Sequence, residues 1–308
     1  MSKELIDKVK KAMKDLDYEP NVLAGSLRSK RSKTIGLLIP DSSNMFFAEL
    51  SNNIEDILFS NGYNIIVSNS GYDLSKELED IRSLRSKKTD GIIVIPASPE
   101  EEHLVKLKES GTPVVIIDRK TTSILVDTVK CDNFQGGYAA GKHLLGLGHT
   151  RIAYIDRGFD QSNSIERREG FLKSLKDNNI NFNNGFYQKI GFKYEDGYQA
   201  VESLLKNTNK PTAIFTFGDI PAIGAARAIY DNGLEIPKDI SLISYGDMKV
   251  LSYYNPRITA VHIPLKKMAV SSCELLINRI KGNETESYKE ICFSTRLIVR
   301  ESTSKPNL

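Results

Sequence analysis

The chain has 308 residues and a formal net charge of +3, and 40% of its residues are hydrophobic. This length is enough for two domains, each with its own core. No apolar run is long enough to predict a membrane span, and the first residues, MSKELIDKVKK, lack the apolar region of a secretory signal. We therefore expect a cytoplasmic protein that does not interact with a membrane.

Residues with catalytic or metal-binding chemistry form no recognisable pattern. The three cysteines, Cys131, Cys273 and Cys292, are far apart and odd in number, so we expect buried thiols in a reducing compartment. The four histidines lack metal spacing, no Gly-x-Ser-x-Gly motif occurs, and no Gly-x-Gly-x-x-Gly or Walker pattern follows the first predicted strand. The sequence predicts binding without chemistry: not an enzyme, with no catalytic residue, no metal and no cofactor.

The charge is unevenly distributed along the chain. Residues 1–33 hold nine Lys or Arg and five acidic residues, so this segment carries +4 and the remaining 275 residues carry −1. A basic head on a nearly neutral body indicates a polyanionic partner at one end. On charge alone, a solvated basic tail is an equally good interpretation.

The basic head contains two predicted helices. Residues 2–17 have helical spacing, and Pro20 ends that helix because it disfavours helical backbone before it. The following segment, NVLAGSLRSKRSKT, is a marginal helix that Gly25 weakens. A leucine and small residues flanked by basic side chains fit a minor-groove wedge with phosphate contacts; a flexible basic linker is the alternative. The predicted DNA-binding residues are Ala24, Leu27, Arg28, Lys30 and Arg31.

From Thr34 onward, short apolar runs alternate with amphipathic stretches. The runs are nearly continuous in Val, Ile and Leu, which is typical of strands covered on both faces of a parallel sheet. In the first half they are TIGLLIP (34–40), NIIVSNS (64–70), GIIVIP (91–96) and PVVIID (113–118). Apolar residues at helical spacing predict helices over 46–61, 75–88 and 99–110.

The order of strand, polar turn, helix and Asn-rich stop over 34–62 returns at 151–179. Two doubly wound α/β lobes with parallel sheets explain this repeat better than one large sheet. Ligands of such sheets bind beyond the carboxyl ends of the strands, so we expect a cleft lined by strand-to-helix turns. The later predicted elements are strands at 151–156, 212–218, 240–246 and 258–263, helices at 219–232 and 266–281, and a β-rich end at 289–300.

Polar and aromatic side chains occupy these turns. After the first strand, Asn44 offers donors and acceptors, and Phe46 and Phe47 offer flat apolar faces, which together suit a sugar. The alternative is that one ring belongs to the core and that Asn44 only caps the helix. Carboxylates and a guanidinium after other strands can bind a polyol through paired hydrogen bonds, although a single Asp there is more often a cap. The further candidates for effector binding are Asp118, Arg167, Phe192, Asp219 and Asp247.

Many motifs in order identify a family. VKKAMKDLDYEPNVLAGSLRSKRSKTIGLLIPDSSNMFFAEL, DNFQGGYAAGKHLLGLGHTRIAYID, KPTAIFTFGDIPAIGA and LEIPKDISLISYGD closely resemble the lactose/galactose-repressor (LacI/GalR) family of bacterial transcription regulators. The resemblance covers essentially the whole chain. It implies a homodimeric repressor with a helix-turn-helix head and a core like that of periplasmic sugar-binding proteins, whose effector changes how paired hinge helices sit in the operator.

The resemblance also implies the division of the chain and the roles of particular residues. Residues 1–33 correspond to the DNA-binding head and hinge. One effector lobe would comprise 34–132 plus 264–292, and the other 133–263 plus 293–308, with three crossings between them. Leu27 falls where the family inserts a leucine into the DNA. The family lines its effector pocket at the positions of Phe46, Phe47, Asp118, Arg167, Phe192 and Asp219.

Three departures from the family pattern affect these expectations. The chain starts inside the last helix of the helix-turn-helix, so we expect this polypeptide to have lost specific operator binding. Gly25 stands where members often carry a residue that favours a helix. A carboxylate that commonly holds sugar hydroxyls is missing from Tyr245-Gly246-Asp247, so either Asp247 substitutes for it or the effector differs from a simple hexose. Arginines 119, 167 and 168 together would accommodate a sugar acid.

The leading hypothesis is an effector-responsive transcriptional repressor that senses a sugar or sugar derivative and binds operator DNA as a homodimer. A solute-binding protein of a transporter is one alternative, which the absence of a signal and the basic head disfavour. A Rossmann-like enzyme is another, which would need a catalytic constellation. The last is a headless sensor that binds the effector and dimerises but leaves DNA alone.

Overall fold

The computed structural model describes residues 3–16, 31–158, 161–283 and 287–307. An N-terminal helix is present where the apolar spacing predicts it. The predicted DNA contacts at Ala24, Leu27, Arg28 and Lys30 lie outside the described residues. The guanidinium of Arg31 is described, and its Nη2 donates to the carbonyl of Ile280 at 2.9 Å.

Strands and helices largely alternate along the chain from Thr34 to Lys281. The strands are β1 (Thr34–Ile39), β2 (Asn64–Asn69), β3 (Gly91–Val94), β4 (Val114–Ile117), β5 (Asp127–Cys131), β6 (Ile152–Arg157), β7 (Tyr187–Ile190), β8 (Ala213–Thr216), β9 (Ser241–Tyr245), β10 (Thr259–His262), β11 (Glu290–Phe293) and β12 (Arg296–Ile298). The helices are α1 (Lys3–Asp15), α2 (Met45–Ser60), α3 (Leu74–Ser86), α4 (Glu102–Glu109), α5 (Asn133–Gly146), α6 (Ser162–Asp177), α7 (Tyr194–Leu205), α8 (Asp219–Asp231) and α9 (Leu265–Lys281).

The strands form two six-stranded sheets of similar topology. The first sheet has the order β11-β5-β4-β3-β1-β2 and is parallel throughout. The second has the order β12-β10-β9-β8-β6-β7 and is parallel except for the antiparallel edge strand β12. The fold is therefore the expected pair of doubly wound α/β lobes, like the periplasmic binding proteins.

The centre of each sheet is fully buried, as the unbroken apolar runs predict. In the first sheet, Leu37 of β1 lies opposite Ile93 of β3, and both are completely inaccessible to solvent. In the second sheet, the ring of Tyr154 on β6 packs against Phe171 and Phe215, with centroids 5.1 and 5.3 Å away. Burying an apolar side chain such as Leu37 or Ile93 stabilises the fold by about 1.5–3 kcal/mol.

The chain passes three times from one sheet to the other. It crosses after β5, after β10 and between β11 and β12. The last crossing lies one residue later than predicted, because Phe293 still pairs with Cys131 in the first sheet. The prediction of three buried thiols needs a correction as well: Cys131 and Cys273 are buried, but Cys292 is exposed on the edge strand β11. In the part of the chain that the structure describes, no helix is long and apolar enough to cross a bilayer.

Candidate functional site

A cavity of about 80 Å³ lies between the two sheets, where the carboxyl ends of the strands face each other. The strand order reverses between β1 and β3 in the first sheet and between β6 and β8 in the second. At these switch points the connections from the two neighbouring strands leave in opposite directions. Such crevices are the usual ligand sites of doubly wound sheets. The structure brings seven of the eight predicted effector-binding residues to the lining of this cavity: Asn44, Phe46, Phe47, Asp118, Arg167, Phe192 and Asp219.

The turn between β1 and α2 both caps α2 and lines the cavity. Asn44 is the N-cap of α2 and accepts a hydrogen bond from the backbone N–H of Phe46 at 3.0 Å. Phe47 is buried and belongs to the core, whereas Phe46 is only partly buried. The two rings meet edge to face, 5.1 Å apart. Of the two phenylalanines, Phe46 therefore offers more ring surface to a ligand.

A stacked aromatic pair joins the two lobes at this cavity. Tyr72, from the turn after β2, stacks on Phe192, from the turn after β7, with ring centroids 4.2 Å apart and an interplanar angle of 3°. Burial raises the pKa of Tyr72 to about 12. Tyr72 was missed from the sequence, although its position directly after a strand was the available signal.

Asp118 is held by hydrogen bonds from both lobes. Its Oδ2 accepts from Nη1 of Arg119 at 2.9 Å and from Nδ2 of Asn163, on α6, at 2.7 Å. Arg119 also donates from Nη2 to Gln161 Oε1 at 2.6 Å. The backbone of Asp118 has φ of 61°, a left-handed conformation that Asp tolerates better than most residues. Oδ1 of Asp118 and Oδ1 of Asn163 are buried and have no hydrogen-bond partner, so both are available to a ligand.

Arg167 is fixed by the second lobe. Its guanidinium carbon lies 3.9 Å from the centroid of the Tyr245 ring. Its Nε donates to Oδ1 of Asn133 at 2.8 Å, and its Nη1 donates to the carbonyl of Phe217 at 3.1 Å. These contacts hold a buried cation in the cavity wall, and no carboxylate of the described residues pairs with it directly. They also explain how a helix residue is aimed into the cleft.

Asp219 begins α8 and lies at the floor of the cavity. Its Oδ1 accepts from the backbone N–H of Met248 at 3.1 Å and from the hydroxyl of Ser244 at 3.4 Å. Burial raises the pKa of Asp219 to about 7, and the nearby charge of Asp247 adds to the shift. Gly246 has φ of +113°, and a Cβ there would lie 2.2 Å from Oδ2 of Asp219. Glycine at this position is what permits the close approach.

Asp247 does not line the cavity, which corrects the prediction made for it. Its Oδ1 accepts from Nη2 of Arg300 at 2.5 Å, and its Oδ2 lies 3.3 Å from Nδ1 of His262. The carboxylate is therefore engaged by residues of β10 and of the segment that follows β12. It does not replace the carboxylate that the family pattern leads one to expect.

The predicted arginine cluster also needs a correction. Arg168 points away from the cavity, and its Nη1 donates to Oδ2 of the buried Asp156 at 2.7 Å and to the Tyr187 hydroxyl at 3.0 Å. Its place is taken by Arg157, the last residue of β6, which lines the cavity together with Arg119 and Arg167. Arg157 was missed from the sequence, although its position directly after the strand predicted at 151–156 was the available signal.

The chemistry of the cavity is that of a polar binding site. Three guanidinium groups and two carboxylates line it, together with asparagine amides and aromatic faces. Hydroxyl groups of a ligand can pair with the amides and charges, and its apolar faces can pack on the rings. Among the described residues, no group of three or more His, Cys, Asp or Glu side chains could hold a metal ion. The fold and cavity together define the class of two-lobed α/β proteins with a polar cavity between the lobes.

Comparisons with known proteins identify the family. Residues 32–300 match the family model described as periplasmic binding proteins and the sugar-binding domain of the LacI family. The HTH-type transcriptional repressor PurR of Vibrio vulnificus is 33% identical over 98% of this chain and 90% of its own length. The PurR repressor of Aliivibrio fischeri strain MJ11 is 35% identical over 91% of this chain and 84% of its own.

Solved structures agree with these relatives. A LacI family transcriptional regulator from Enterococcus faecium, with bound ribose, matches with a TM-score of 0.82 and 32% identity, over 89% of this chain and all of its own. The complex of the regulator CelR with cellobiose matches with a TM-score of 0.81 and 26% identity, over 98% of this chain and 91% of its own. The chain belongs to the LacI family of transcriptional regulators. Its relatives are repressors rather than enzymes, which confirms the prediction of a non-enzymatic protein.

Proposed function

We propose that this protein is an effector-responsive cytoplasmic repressor that binds a sugar or sugar derivative between its lobes and binds operator DNA as a homodimer. The observation that carries the proposal is the buried cavity, in which oxygen atoms of Asp118 and Asn163 have no partner beside aromatic faces. Buried polar atoms are normally satisfied, so such atoms are available to the hydroxyl groups of a ligand. Two of its structural relatives hold ribose and cellobiose.

Ligand binding is expected to fix the relative orientation of the two lobes. Asp118 and Tyr72 come from the first sheet, and Arg167 and Asp219 come from the second. A ligand that contacts both sets binds best to the orientation in which they converge and increases its population. The basic head precedes β1 directly, so a change in the first lobe reaches the segment whose DNA contacts are predicted at Ala24, Leu27, Arg28, Lys30 and Arg31.

An apolar groove on the second lobe supports the homodimer. It lies between α7 and α8 and is lined by Tyr194, Tyr198, Ile223 and Tyr254. Tyr194 is 45% exposed and the other three are partly buried, so together they form a contiguous apolar surface of the kind that marks a protein interface. Analytical ultracentrifugation of the wild type and of Ile223→Glu tests this part of the proposal. We expect the wild type to be a dimer and Ile223→Glu to be a monomer. A monomeric wild type would contradict the proposed homodimer.

Replacing Arg167 by Ala is expected to weaken effector binding by about a hundredfold or more, since charge-assisted hydrogen bonds contribute about 1.5–3 kcal/mol each. Calorimetric titration with a panel of pentoses, hexoses and disaccharides measures the loss. Arg82→Ala, which removes an exposed arginine on α3, is the matched control and should bind as the wild type does. Unchanged affinity in Arg167→Ala would show that the ligand binds elsewhere.

The DNA part of the proposal has a separate test. A gel-shift titration with candidate operators, with and without the sugar identified by calorimetry, measures whether the effector changes the affinity for DNA. Binding that weakens steeply with added salt indicates phosphate contacts from the basic head. A protein that binds the sugar but no DNA under any salt condition would instead match a solute-binding protein or a headless sensor.

A further inference from the structure

Arg157 is a buried cation in the cavity wall that pairs with no carboxylate of the described residues. Arg157 is 6% exposed, and its Nε and Nη2 are buried without a hydrogen-bond partner. Its guanidinium carbon lies 4.1 Å from the centroid of Phe192 and 5.0 Å from that of Tyr72, so the aromatic pair covers one side of the group. Burial lowers the pKa of Arg157 to about 9, and the neighbouring charge of Arg119 acts in the same direction.

The carboxylates around Arg157 are already bound by other residues. Asp118 accepts from Arg119 and Asn163. The side chain of Asp156, next in sequence, accepts from Arg168 and from the Tyr187 hydroxyl, and only the backbone N–H of Arg157 reaches it. A buried charge is costly unless it is paired and hydrogen-bonded. Among the described residues no carboxylate pairs with Arg157, so a bound ligand can supply the partner.

The unpartnered Nε and Nη2 of the Arg157 guanidinium indicate the kind of partner that it binds. Nε and a terminal nitrogen of a guanidinium form a planar fork that matches two oxygens of a carboxylate or a phosphate. Nε of Arg119, in the same cavity, is also buried and without a partner. A sugar hydroxyl can accept a hydrogen bond from either group but leaves the charge uncompensated. An anionic oxygen satisfies both requirements.

We propose that the effector is an anionic polyol, with a carboxylate or phosphate bound by Arg157 and Arg119 and with hydroxyls directed to Asp118 and Asn163. This inference rests on the proposed function and narrows the sugar derivative to an acidic one. Arg157 and Arg119 both supply hydrogen-bond donors for an anion, and the sequence patterns alone did not predict that these two residues lie together. Arg167, which lines the same cavity, then contributes further positive potential.

The test compares matched ligand pairs that differ only in charge. The full chain is titrated by calorimetry with glucose and glucuronate, with ribose and ribose phosphate, and with inorganic phosphate alone. We expect the anionic member of at least one pair to bind about tenfold or more tightly, as a charge-assisted hydrogen bond predicts. In Arg157→Gln the ratio of the two affinities should fall towards one, and in Arg157→Lys it should be intermediate. Arg82→Gln should keep the wild-type ratio.

The outcomes separate this inference from the proposed function. Neutral sugars that bind as tightly as their anionic partners overturn the anionic effector and leave the sugar sensor standing. A preference that survives in a folded Arg157→Gln variant also overturns it; circular dichroism establishes the fold. Phosphate binding that depends on Arg157, without binding of any sugar, supports the anion site and overturns the sugar sensor. Failure of every ligand to bind overturns both.

Discussion

The Gly137→Ala variant is expected to lose about 3 kcal/mol of unfolding free energy, the upper end of the usual cost of overpacking. Gly137 lies on α5, where it packs against α6. A Cβ at this position would be 2.0 Å from the carbonyl oxygen of Arg167 and 2.9 Å from its carbonyl carbon. Both atoms are helix backbone, so relief requires α6 to move as a unit. That movement would displace Arg167 and is expected to weaken effector binding as well.

The matched control is Gly146→Ala, at the other end of the same helix. No atom lies within 4 Å of a Cβ added there. Alanine favours the helix over glycine by up to about 1 kcal/mol, so this variant should be equal to the wild type or slightly more stable. Urea denaturation followed by circular dichroism measures both. Equal stability of the two variants would mean that the helices are not in contact as described.

Long apolar runs made the sheets predictable. The strand predicted at 34–40 is observed as Thr34–Ile39, and the one predicted at 240–246 as Ser241–Tyr245. The helices α5 and α7 were not predicted as elements. The sequence of α5, NFQGGYAAGKHLLG, contains four glycines, which lower helix propensity and weaken the amphipathic pattern. At Gly137 of α5 the helix packs directly on the backbone of α6, which is a property of the tertiary structure that the local sequence does not indicate.

The site was predictable to the extent that strand ends converge. Phe192 and Asp219 follow strands far apart in the sequence, yet the topology brings both to one cavity. Asp247 was wrongly assigned because its partner, Arg300, is 53 residues away and nothing local indicates their ion pair. Arg168 was wrongly included for the same reason: the buried carboxylate of Asp156 determines its direction. Sequence position indicates which residues lie near the cleft, whereas ion pairs with distant residues determine which of their side chains point into it.

The stability of the wild type relative to Asp219→Asn is expected to decrease by about 3 kcal/mol between about pH 5 and pH 8. Burial raises the folded-state pKa of Asp219 to about 7, from an ordinary value of 3.8 for an aspartate. Over this range the unfolded chain has already released the proton, whereas the folded chain releases it only near neutrality. The folded state binds more protons, so its stability is full at low pH and is lost as the pH rises through the folded pKa.

Asparagine can accept the same hydrogen bonds from Met248 and Ser244 but cannot ionise, so the variant lacks this dependence. Urea titrations of both proteins across the range give the difference, in which the other titrating groups largely cancel. Asp231→Asn, at the exposed end of the same helix, removes a carboxylate that is not buried. The stability difference between wild type and this variant should therefore not show the same dependence on pH. A difference between wild type and Asp219→Asn that is independent of pH would show that the carboxyl group is not desolvated at the floor of the cavity. If an anionic effector binds close to Asp219, the affinity for this effector should likewise decrease as Asp219 ionises.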